Sequence, residues 1–591
     1  MTRSSLSLLV LAALGLVLAY LQGARADTNL ATEHDEILFS RQLTYVESSI
    51  QSIAAAVQQQ NDTRYPDLLN AGIDDLQAGL ERGDYTSVEL IEAYLARIDE
   101  VNINGPGLRA IIETSPVARN EAAKLDQERA AGKSRGPLHG IPIVVKDNVA
   151  TDTELGMNTT AGSYTLLNSI VPGDSPSVQT LRKAGAVILG KANMSVWAQA
   201  RGAQNQTQGF SPRGGFGTSA YWPGGNPCSS SSGSGVAVAA GLATGAVGSQ
   251  TSGSIICPAS YNNIVGFKPT VGLISRNGVI PISSTQDSAG PFARTVKDVA
   301  HLLTAMAYHG SDPGDNATWT QPSEVARGID YASADHFQRP RTRAPLAGMR
   351  LGYSAVDSFF ANQSIQGYDD AVQQAYSQSI ETLRNLGAEM VPVTLACIGN
   401  QTDPGLTACY NATDNSQTVV WQTEMRYGLE AYIAGLEAVP SAVYDLGGIV
   451  YFGIANPDLE LPGNQTDQAY LTQALMTRPN ATVDAMRQYG LNLAQEHGID
   501  GALRKYSYPV IGVPMGFYSN DTTPGDTFPY FPFPSAPAGI TFTSRKWTEP
   551  LLLRIAHAYE QATQVRWSRQ PYPAAKPKSQ IKNIVGVSPS I

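Results

Sequence analysis

The chain has 591 residues, of which 42% are hydrophobic and 16% are charged, so it is long enough to bury a substantial core. Its formal net charge is −10, spread without long runs, which disfavours nucleic acid or an anionic membrane surface as a partner. The seven histidines show no H-E-x-x-H motif or paired-ligand spacing, so no metal site is predicted. A G-x-S-x-G motif, typical of α/β-hydrolases, is also missing from the sequence.

The N-terminus has the features of a secretory signal peptide. Arg3 precedes an apolar run over residues 6–21, and A-R-A at 24–26 offers small residues for cleavage before Asp27. The sequence therefore predicts removal of residues 1–26 and secretion of the remainder. An uncleaved signal anchor is the alternative, because the apolar run approaches the length of a membrane-spanning helix.

Eleven N-x-S/T sequons agree with export, because N-glycosylation takes place on exported chains. Asn193 lies in the hydrophobic stretch 188–197 and is expected to be buried and unmodified. The other sequons are candidates for glycosylation: Asn61, Asn158, Asn205, Asn316, Asn362, Asn400, Asn411, Asn464, Asn480 and Asn520.

Periodicity predicts an α/β architecture. Apolar residues over 88–101 recur at helical spacing after Thr86, which suits an N-cap. Short apolar runs at 141–145, 186–189 and 510–513 are typical of strands buried on both faces, and they alternate with helical segments. No Pro/Gly-rich linker divides the chain cleanly, and residues 313–345 are the best candidate for an internal surface connection.

Two hydroxyl-rich turns carry the first part of the candidate chemistry. Residues 226–235 read N-P-C-S-S-S-S-G-S-G, and Ser254 follows Ser230 by 24 residues, in T-S-G-S-I. A Ser/Gly-rich stretch alone is typical of a flexible linker. Residues 236–247 are apolar and small, however, which predicts that the serine-rich segment continues directly into a buried element of the fold.

Lys146 carries the second part. It ends the apolar run 141–145, and alone it would be interpreted as a strand-end lysine that reaches to water. Burial in a low-dielectric site lowers the pKa of a lysine, so that it can act as a neutral base. Together with the two serine turns, Lys146 predicts a Lys-Ser-Ser hydrolytic site that needs no histidine.

The motifs resemble those of the amidase signature family of serine hydrolases. The resemblance covers about residues 66–570, including a closing helix predicted over 551–564. Its motifs follow in family order: G-P-L-H-G-I-P at 136–142, K-D-N at 146–148, T-A-G-S at 160–163, A-G-A-V-I-L-G-K at 184–191, the serine-rich segment, G-S-I at 253–255, G-F-K-P-T at 266–270 and D-S-A-G-P at 287–291.

This resemblance implies an α/β fold with a large mixed β-sheet of about eleven strands surrounded by α-helices. The implied organisation is a signal peptide at 1–26, an N-terminal helical extension at 27–65, an amidase domain at 66–570 and a C-terminal tail at 571–591.

The resemblance also implies the roles of the site residues. Lys146 would be the general base and acid, Ser230 the bridging serine on a cis peptide bond, and Ser254 the nucleophile. Ser230 would relay the proton of Ser254 to Lys146, which would then protonate the leaving amine. The oxyanion hole would consist of the backbone N–H groups of Thr251, Ser252, Gly253 and Ser254.

Two cysteine pairs are candidates for disulfides in an oxidising compartment. Cys397 and Cys409 enclose a short polar loop, and a local disulfide is the simplest interpretation. Cys228 and Cys257 each lie within three residues of a predicted catalytic serine, so their sulfurs could be close. They are either bridged or two buried free thiols that fill small apolar spaces.

The predicted function is that of a secreted amidase that hydrolyses a small-molecule carboxylic amide, with esters as side substrates and with no cofactor or metal. Neither nucleic acid nor, after signal cleavage, a membrane is expected as a partner. The signal peptide and the acidic composition disfavour an amide-hydrolysing subunit that acts on charged tRNA.

Two departures from the family pattern favour an alternative. Gln250 and Ile256 stand where the family often has an acid and an arginine, although losing both leaves no orphaned charge. The segment at 499–506 is followed at once by the predicted strand segment at 507–514. The family usually has an extra strand and loop between these two segments, so either a wall of the pocket is shortened or the gene model is wrong. The alternative is a catalytically impaired secreted glycoprotein that uses the fold for binding.

Overall fold

The structure is a computed structural model that describes residues 64–202, 206–333, 344–354, 369–393, 416–496 and 509–586. Several predicted features lie outside these residues: the signal peptide, nearly all of the N-terminal extension, the Cys397 and Cys409 pair, the connection that precedes Pro509, and the sequons Asn61, Asn205, Asn362, Asn400 and Asn411.

Helices and strands alternate along the described chain. The strands are β1 (Ile111–Thr114), β2 (Pro142–Lys146), β3 (Val187–Ala192), β4 (Phe210–Ser211), β5 (Gly215–Phe216), β6 (Gly245–Gln250), β7 (Val265–Lys268), β8 (Ser288–Ala293), β9 (Arg350–Ser354), β10 (Glu389–Val393), β11 (Val510–Phe517) and β12 (Pro537–Thr543). The helices are α1 (Ile73–Arg82), α2 (Ser87–Ile98), α3 (Ala118–Ala130), α4 (Pro176–Lys183), α5 (Ser232–Ala239), α6 (Ile256–Tyr261), α7 (Val296–Met306), α8 (Ser323–Ala326), α9 (Asp370–Asn385), α10 (Ser416–Ala434), α11 (Leu446–Ala455), α12 (Pro457–Glu460), α13 (Ala469–Ala474), α14 (Ala481–Glu496), α15 (Glu549–Thr563) and α16 (Ile581–Ile584). Short helical turns cover Asp99–Ile103, Thr153–Leu155, Tyr164–Leu166, Val196–Gln199, Asn316–Thr320, Val565–Ser568 and Pro573–Ala575.

Eight strands form one mixed sheet in the order β1-β3-β2-β6-β8-β7-β11-β12. β3, β2 and β6 are parallel neighbours, and the other neighbouring pairs are antiparallel. β2, β3 and β6 are buried along their whole length, as expected of parallel strands covered on both faces. The predicted α/β class, with a large mixed sheet surrounded by helices, is confirmed.

The number of strands differs from the expected eleven, because the described residues place eight in the main sheet. β9 and β10 instead pair with each other, in parallel, as a separate two-stranded sheet. β10 remains partly exposed along its length, whereas the central strands of the main sheet are buried throughout. A partly exposed strand pair suits a surface position and does not extend the buried sheet.

Local sequence signals located several elements correctly. Thr86 caps α2, because its Oγ1 accepts from the N–H of Glu89 at 3.1 Å, and the Glu89 carboxylate accepts from the N–H of Thr86 at 2.8 Å. The strands predicted at 141–145, 186–189 and 510–513 correspond to β2, β3 and β11, and the helix predicted at 551–564 corresponds to α15.

The serine-rich segment is not a linker, because residues 230–250 are buried. Helix α5 packs against β2, β3 and β6 and needs small residues to do so. A Cβ atom at Gly233 would collide with the backbone of Ala110 and Asn193. Close packing therefore explains why this segment is rich in glycine and serine.

The described sequons differ in exposure. Asn193 is fully buried, as predicted, and its Nδ2 donates to the carbonyl of Arg109 at 2.9 Å. Asn158 is half-buried. Asn316, Asn464, Asn480 and Asn520 are exposed. Among the described helices, none is both long and apolar enough to cross a bilayer.

The segment after residue 570, expected as a C-terminal tail, packs against α2 as far as it is described. Arg97 of α2 is fully buried, and it donates from Nε to the carbonyl of Gly241 at 2.7 Å and from Nη1 to that of Ser579 at 2.6 Å. Ile581 begins α16 and is completely buried in the main core. The segment therefore contributes apolar contacts and accepts hydrogen bonds from the domain.

Replacing Ile581 by Ala should lower the free energy of unfolding by about 2–5 kcal/mol, because it removes buried methyl groups and leaves a cavity. Lys578→Ala is the matched control, since its side chain is exposed in the same segment. Denaturant unfolding of both variants measures the effect. A loss for Ile581→Ala no larger than that of the control would contradict the docking of this segment.

Candidate active site

The predicted lysine meets the serine-rich turn at the carboxyl end of β2. Lys146 is the last residue of β2, and its side chain is fully buried. Its Nζ lies 2.7 Å from the Oγ of Ser230. The peptide bond between Ser229 and Ser230 is cis, as the family resemblance implied. The structure thus brings two of the three predicted residues into direct contact.

Two polar residues that the sequence predictions did not assign complete the surroundings of the lysine. Nζ of Lys146 donates to the carbonyl of Ser249 at 3.1 Å and to its Oγ at 2.9 Å. Nδ2 of Asn148 donates to the same Oγ at 3.0 Å and to the carbonyl of Ile280 at 3.3 Å. Asn148 belongs to the K-D-N motif, and Ser249 lies near the end of β6, the parallel neighbour of β2. The pairing of β2 with β6 is therefore the signal that places Ser249 beside Lys146, and the sequence alone does not reveal it.

Burial lowers the pKa of Lys146 to about 7, and the negative charge of Asp287 opposes this effect. A neutral amine has two N–H donors and one lone pair. If the two N–H groups donate to the oxygens of Ser249, the lone pair remains for the O–H of Ser230. The arrangement can therefore take a proton from Ser230 near neutral pH.

Ser254 lies in the turn between β6 and α6, beside the turn that carries Ser230. Its carbonyl accepts from the N–H of Ser231 at 3.3 Å, and the residue is 9% exposed. Both serines are described, and no hydrogen bond joins their Oγ atoms. The contact that the second step of the predicted relay needs, between Ser230 and Lys146, is therefore formed. The Oγ atoms of Ser254 and Ser230, which the first step would join, are not in hydrogen-bond contact.

Several backbone N–H groups around Ser254 have no hydrogen-bond acceptor within the described structure. Among the described residues, the N–H groups of 251–254 have no acceptor. The next two, of Ile255 and Ile256, donate to Oε1 of Gln250 at 2.7 and 3.0 Å. Gly253 adopts a φ of 83°, which favours glycine. Successive unpaired N–H groups can stabilise a negatively charged oxygen, so this turn has the composition of an oxyanion hole.

The first departure from the family pattern, at Gln250 and Ile256, is accommodated without an unpaired charge. Gln250 uses its side-chain oxygen to accept the two N–H groups where α6 begins. Ile256 packs against the apolar core, and a Cβ at Gly512 of β11 would lie 3.4 Å from its Cγ2. An amide oxygen and an apolar contact thus occupy the two positions.

Asp287 joins the turn that carries Ser254 to the segment at 282–283. Its Oδ1 accepts from Oγ1 of Thr251 at 2.5 Å. Its Oδ2 accepts from the N–H groups of Ile282 and Ser283 at 2.7 and 2.8 Å. Burial raises the pKa of this carboxyl, while these hydrogen bonds oppose the rise. Asp287 belongs to the D-S-A-G-P motif, to which the sequence assigned no role.

Asn148, Ser230, Ser249, Thr251 and Asp287 line a small cleft, whereas Ser254 is not among its lining residues. Ser230, Ser249 and Thr251 contribute polar groups to the lining, and Ala198, Val279, Ile280 and Ile282 contribute apolar groups. Ile280 and Ile282 belong to a second apolar cluster that contains residues of α10 and α11. Within the described residues, no three His, Cys, Asp or Glu side chains are grouped closely enough to hold a metal ion.

Arg276 also lines the cleft, but its guanidinium is already engaged. Nε and Nη2 donate to the carboxylate of Asp315 at 2.9 and 2.5 Å, and Nη1 donates to the carbonyl of Ser284 at 2.5 Å. A bidentate ion pair of this kind fixes the arginine in place. The lining of the cleft therefore combines serine and threonine hydroxyls, apolar side chains and a paired arginine.

Cys228 and Cys257 are bridged, with their Cα atoms 5.8 Å apart. Of the two interpretations that the sequence left open, the structure has the disulfide. The bond joins the turn that carries Ser230 to the beginning of α6, just after Ser254.

The family model named Amidase matches residues 89–426. A protein of Arthroderma benhamiae named "Putative amidase" is 34% identical over 563 residues, covering 88% of this chain and 90% of that one. A glutamyl-tRNA(Gln) amidotransferase subunit of Synechococcus is 32% identical over 523 residues, covering 83% of this chain and 97% of that one.

Among solved structures, the native peptide amidase of Stenotrophomonas maltophilia is 36% identical with a TM-score of 0.71, and the match covers 85% of this chain and 98% of that one. The chain therefore belongs to the amidase family and is a hydrolase that acts on the C–N bond of amides.

Proposed function

We propose that this protein hydrolyses linear carboxamides with Ser254 as the nucleophile, Ser230 as the bridging serine and Lys146 as the base and acid. One observation carries the proposal: the amine of a fully buried lysine, with a pKa lowered to about 7, lies 2.7 Å from the Oγ of Ser230. The unpaired N–H groups of 251–254 support it, because they lie on the turn that would hold the developing oxyanion.

In the first half of the reaction, Oγ of Ser254 forms a bond to the carbonyl carbon, and its proton passes through Ser230 to Nζ of Lys146. The carbonyl electron pair moves to oxygen, where each N–H donor is worth about 3–4 kcal/mol. The C–N bond then breaks, and Lys146 returns the proton to the leaving nitrogen. Water attacks the acyl-enzyme by the same route and regenerates Ser254.

The relay requires Ser254 to approach Ser230. In enzymes without substrate, catalytic hydrogen bonds are often long and tighten only in the complex. We therefore expect substrate to bring the two Oγ atoms into hydrogen-bond contact.

The cleft favours a substrate with an uncharged acyl group. Ala198, Val279, Ile280 and Ile282 contribute apolar groups to its lining. The two charged residues of the lining are already engaged, because Arg276 is paired with Asp315 and Asp287 accepts from Thr251, Ile282 and Ser283. The similarity to a peptide amidase makes amides carried by a peptide the first class to test, beside aryl, aliphatic and fatty amides. Esters are expected as side substrates, because an alkoxide leaves with less protonation than an amine does.

The alternative of a catalytically impaired binding protein has less support. Its sequence arguments are Gln250, Ile256 and the short connection before Pro509, and that connection lies outside the described residues. Gln250 and Ile256 are accommodated by a hydrogen-bonded amide oxygen and by an apolar contact. A fluorophosphonate probe distinguishes the two functions, because only an activated serine reacts with it.

Ser254→Ala should abolish both the fluorophosphonate adduct and the turnover of amides and esters, because no other hydroxyl in this mechanism attacks the carbonyl. Mass spectrometry of the labelled protein measures the adduct. Ser323→Ala, which removes an exposed hydroxyl in α8, should keep the adduct and the rates. An adduct that persists in Ser254→Ala, or that maps to another serine in the wild type, would refute the assignment of Ser254 as the nucleophile.

The kcat/KM for an amide should rise with pH up to about 7 and then level off, because only the neutral form of Lys146 accepts a proton. The lowered pKa means that this form is already dominant just above neutrality. Lys146→Ala should remove this acid limb and reduce amide hydrolysis more than ester hydrolysis, because an amine must be protonated to leave.

Circular dichroism of Lys146→Ala controls for loss of folded protein. A lysine that only anchored the end of β2 would lower the folded yield and change amide and ester rates per folded molecule by the same factor. An acid limb that survives in Lys146→Ala would assign the base to another group.

We also propose that the protein is secreted and glycosylated. The support is the apolar run at 6–21 followed by A-R-A at 24–26, together with the exposed sequons Asn316, Asn464, Asn480 and Asn520. The mature chain in culture medium should begin at or near Asp27 and lose mass on glycosidase treatment. Intact-mass measurement before and after digestion tests this, and recovery of the uncleaved chain from a membrane pellet would instead support the signal anchor.

A further inference from the structure

We propose that the Cys228–Cys257 disulfide is a positioning cross-link that holds the two serine turns, residues 226–231 and 251–257, in the geometry the reaction needs. The inference rests on the proposed function, since it assigns a role to the bond in the chemistry of Ser230 and Ser254. The two serines belong to different elements: Ser230 precedes α5, and Ser254 lies between β6 and α6.

The position of the bond is the first observation. Cys228 comes two residues before Ser230, and Cys257 comes three residues after Ser254, so the bond crosses directly between the turns. It is the one covalent link between them other than the intervening chain, among the residues that the structure describes. Any relative displacement of the two serines must therefore act on this bond.

Hydrogen bonds beside the disulfide also connect the two turns. Nδ2 of the fully buried Asn262 donates to the carbonyl of Pro227 at 3.0 Å and to that of Pro258 at 2.9 Å. These carbonyls belong to the residue before Cys228 and the residue after Cys257. The two turns are thus joined by the disulfide, by the bridge through Asn262, and by the hydrogen bond from the N–H of Ser231 to the carbonyl of Ser254.

The conformation of Cys228 is the second observation. Its φ is 60°, in the left-handed region that favours glycine. Two contacts hold Cys228 in this conformation: its sulfur is bonded to Cys257, and its N–H donates to Oδ1 of Asn226 at 2.8 Å. Without the bond, Cys228 is free to relax toward an ordinary conformation, which would displace the adjacent Ser229–Ser230 peptide.

A small displacement matters here. Proton transfer from Ser254 through Ser230 to Lys146 needs hydrogen-bond distances at both steps, and a misplacement of about 1 Å can cost about 100-fold in rate. The main sheet and the apolar wall of the cleft are built by other residues. Loss of the bond should therefore lower kcat, with smaller effects on KM and on folding.

The test compares Cys228→Ser, Cys257→Ser and the double variant. Each should lose kcat by about 10-fold to 100-fold with KM changed by no more than about twofold. The double variant should be no worse than either single variant, because all three lack the same bond. Hydrogen exchange of the backbone N–H groups should rise in both serine turns, while circular dichroism remains that of the wild type.

Reduction and reoxidation provide a second route to the same state. In a Cys397→Ser/Cys409→Ser background, the chain keeps only the two cysteines of interest, so a reductant acts on this pair alone. The reduced protein should match the Cys228→Ser variant, and reoxidation should restore kcat.

Several results would overturn the inference. Peptide mapping that finds Cys228 and Cys257 as free thiols in the wild type would remove its basis. An active wild type whose variants keep kcat would refute the positioning role, and losses that add in the double variant would assign the effect to packing of each thiol. A wild type that hydrolyses no amide would refute the proposed function, and with it the catalytic role of the bond.

Discussion

The active site depends on the burial of one amine at the end of β2. Lys146 is surrounded by the Oγ of Ser230 and by two oxygens of Ser249, all within 3.1 Å of its Nζ. Burial disfavours its charge, and the three oxygens compensate for the lost contacts with water. The parallel pairing of β2 with β6 brings Ser249 to this point, and Asn148 holds the Ser249 hydroxyl by a hydrogen bond. The geometry of the central sheet thus determines which polar groups surround the amine of Lys146.

Burial alone does not make a lysine a base. Lys191 of β3 is also fully buried, and burial lowers its pKa to about 8. Its amine donates to the carbonyl of Val149 at 2.7 Å and to Oγ1 of Thr159 and Thr151 at 3.1 and 3.4 Å, and none of these acceptors lines the cleft. Lys146 differs because its amine contacts a hydroxyl that does line the cleft. The neighbour of the amine, more than the shifted pKa, therefore separates the candidate base from a structural lysine.

The sequence predicted those features that depend on neighbours along the chain or on recognisable motifs. The cap of α2 by Thr86, the strands that became β2 and β3, and the contact of Lys146 with Ser230 belong to this group. Ser249 and Asn262 could not be assigned in the same way, because their roles follow from which strands and helices are adjacent. Ser249 is 103 residues from Lys146, and Asn262 is 35 residues from Pro227. The pairing of β9 with β10 outside the main sheet likewise depends on tertiary packing, to which local patterns are insensitive.

The placement of Asp287 illustrates how the site keeps its lysine available. A carboxylate in direct contact with Lys146 would hold the amine in its charged form and prevent it from accepting a proton. Asp287 instead accepts three hydrogen bonds from Thr251, Ile282 and Ser283, so its oxygens are satisfied by donors other than the lysine. Its charge still raises the pKa of Lys146, but burial is the larger effect and brings the value to about 7. The hydrogen bond from Thr251 also anchors the start of the turn that carries Ser254. The electrostatics around Lys146 and the shape of that turn are therefore coupled through one side chain.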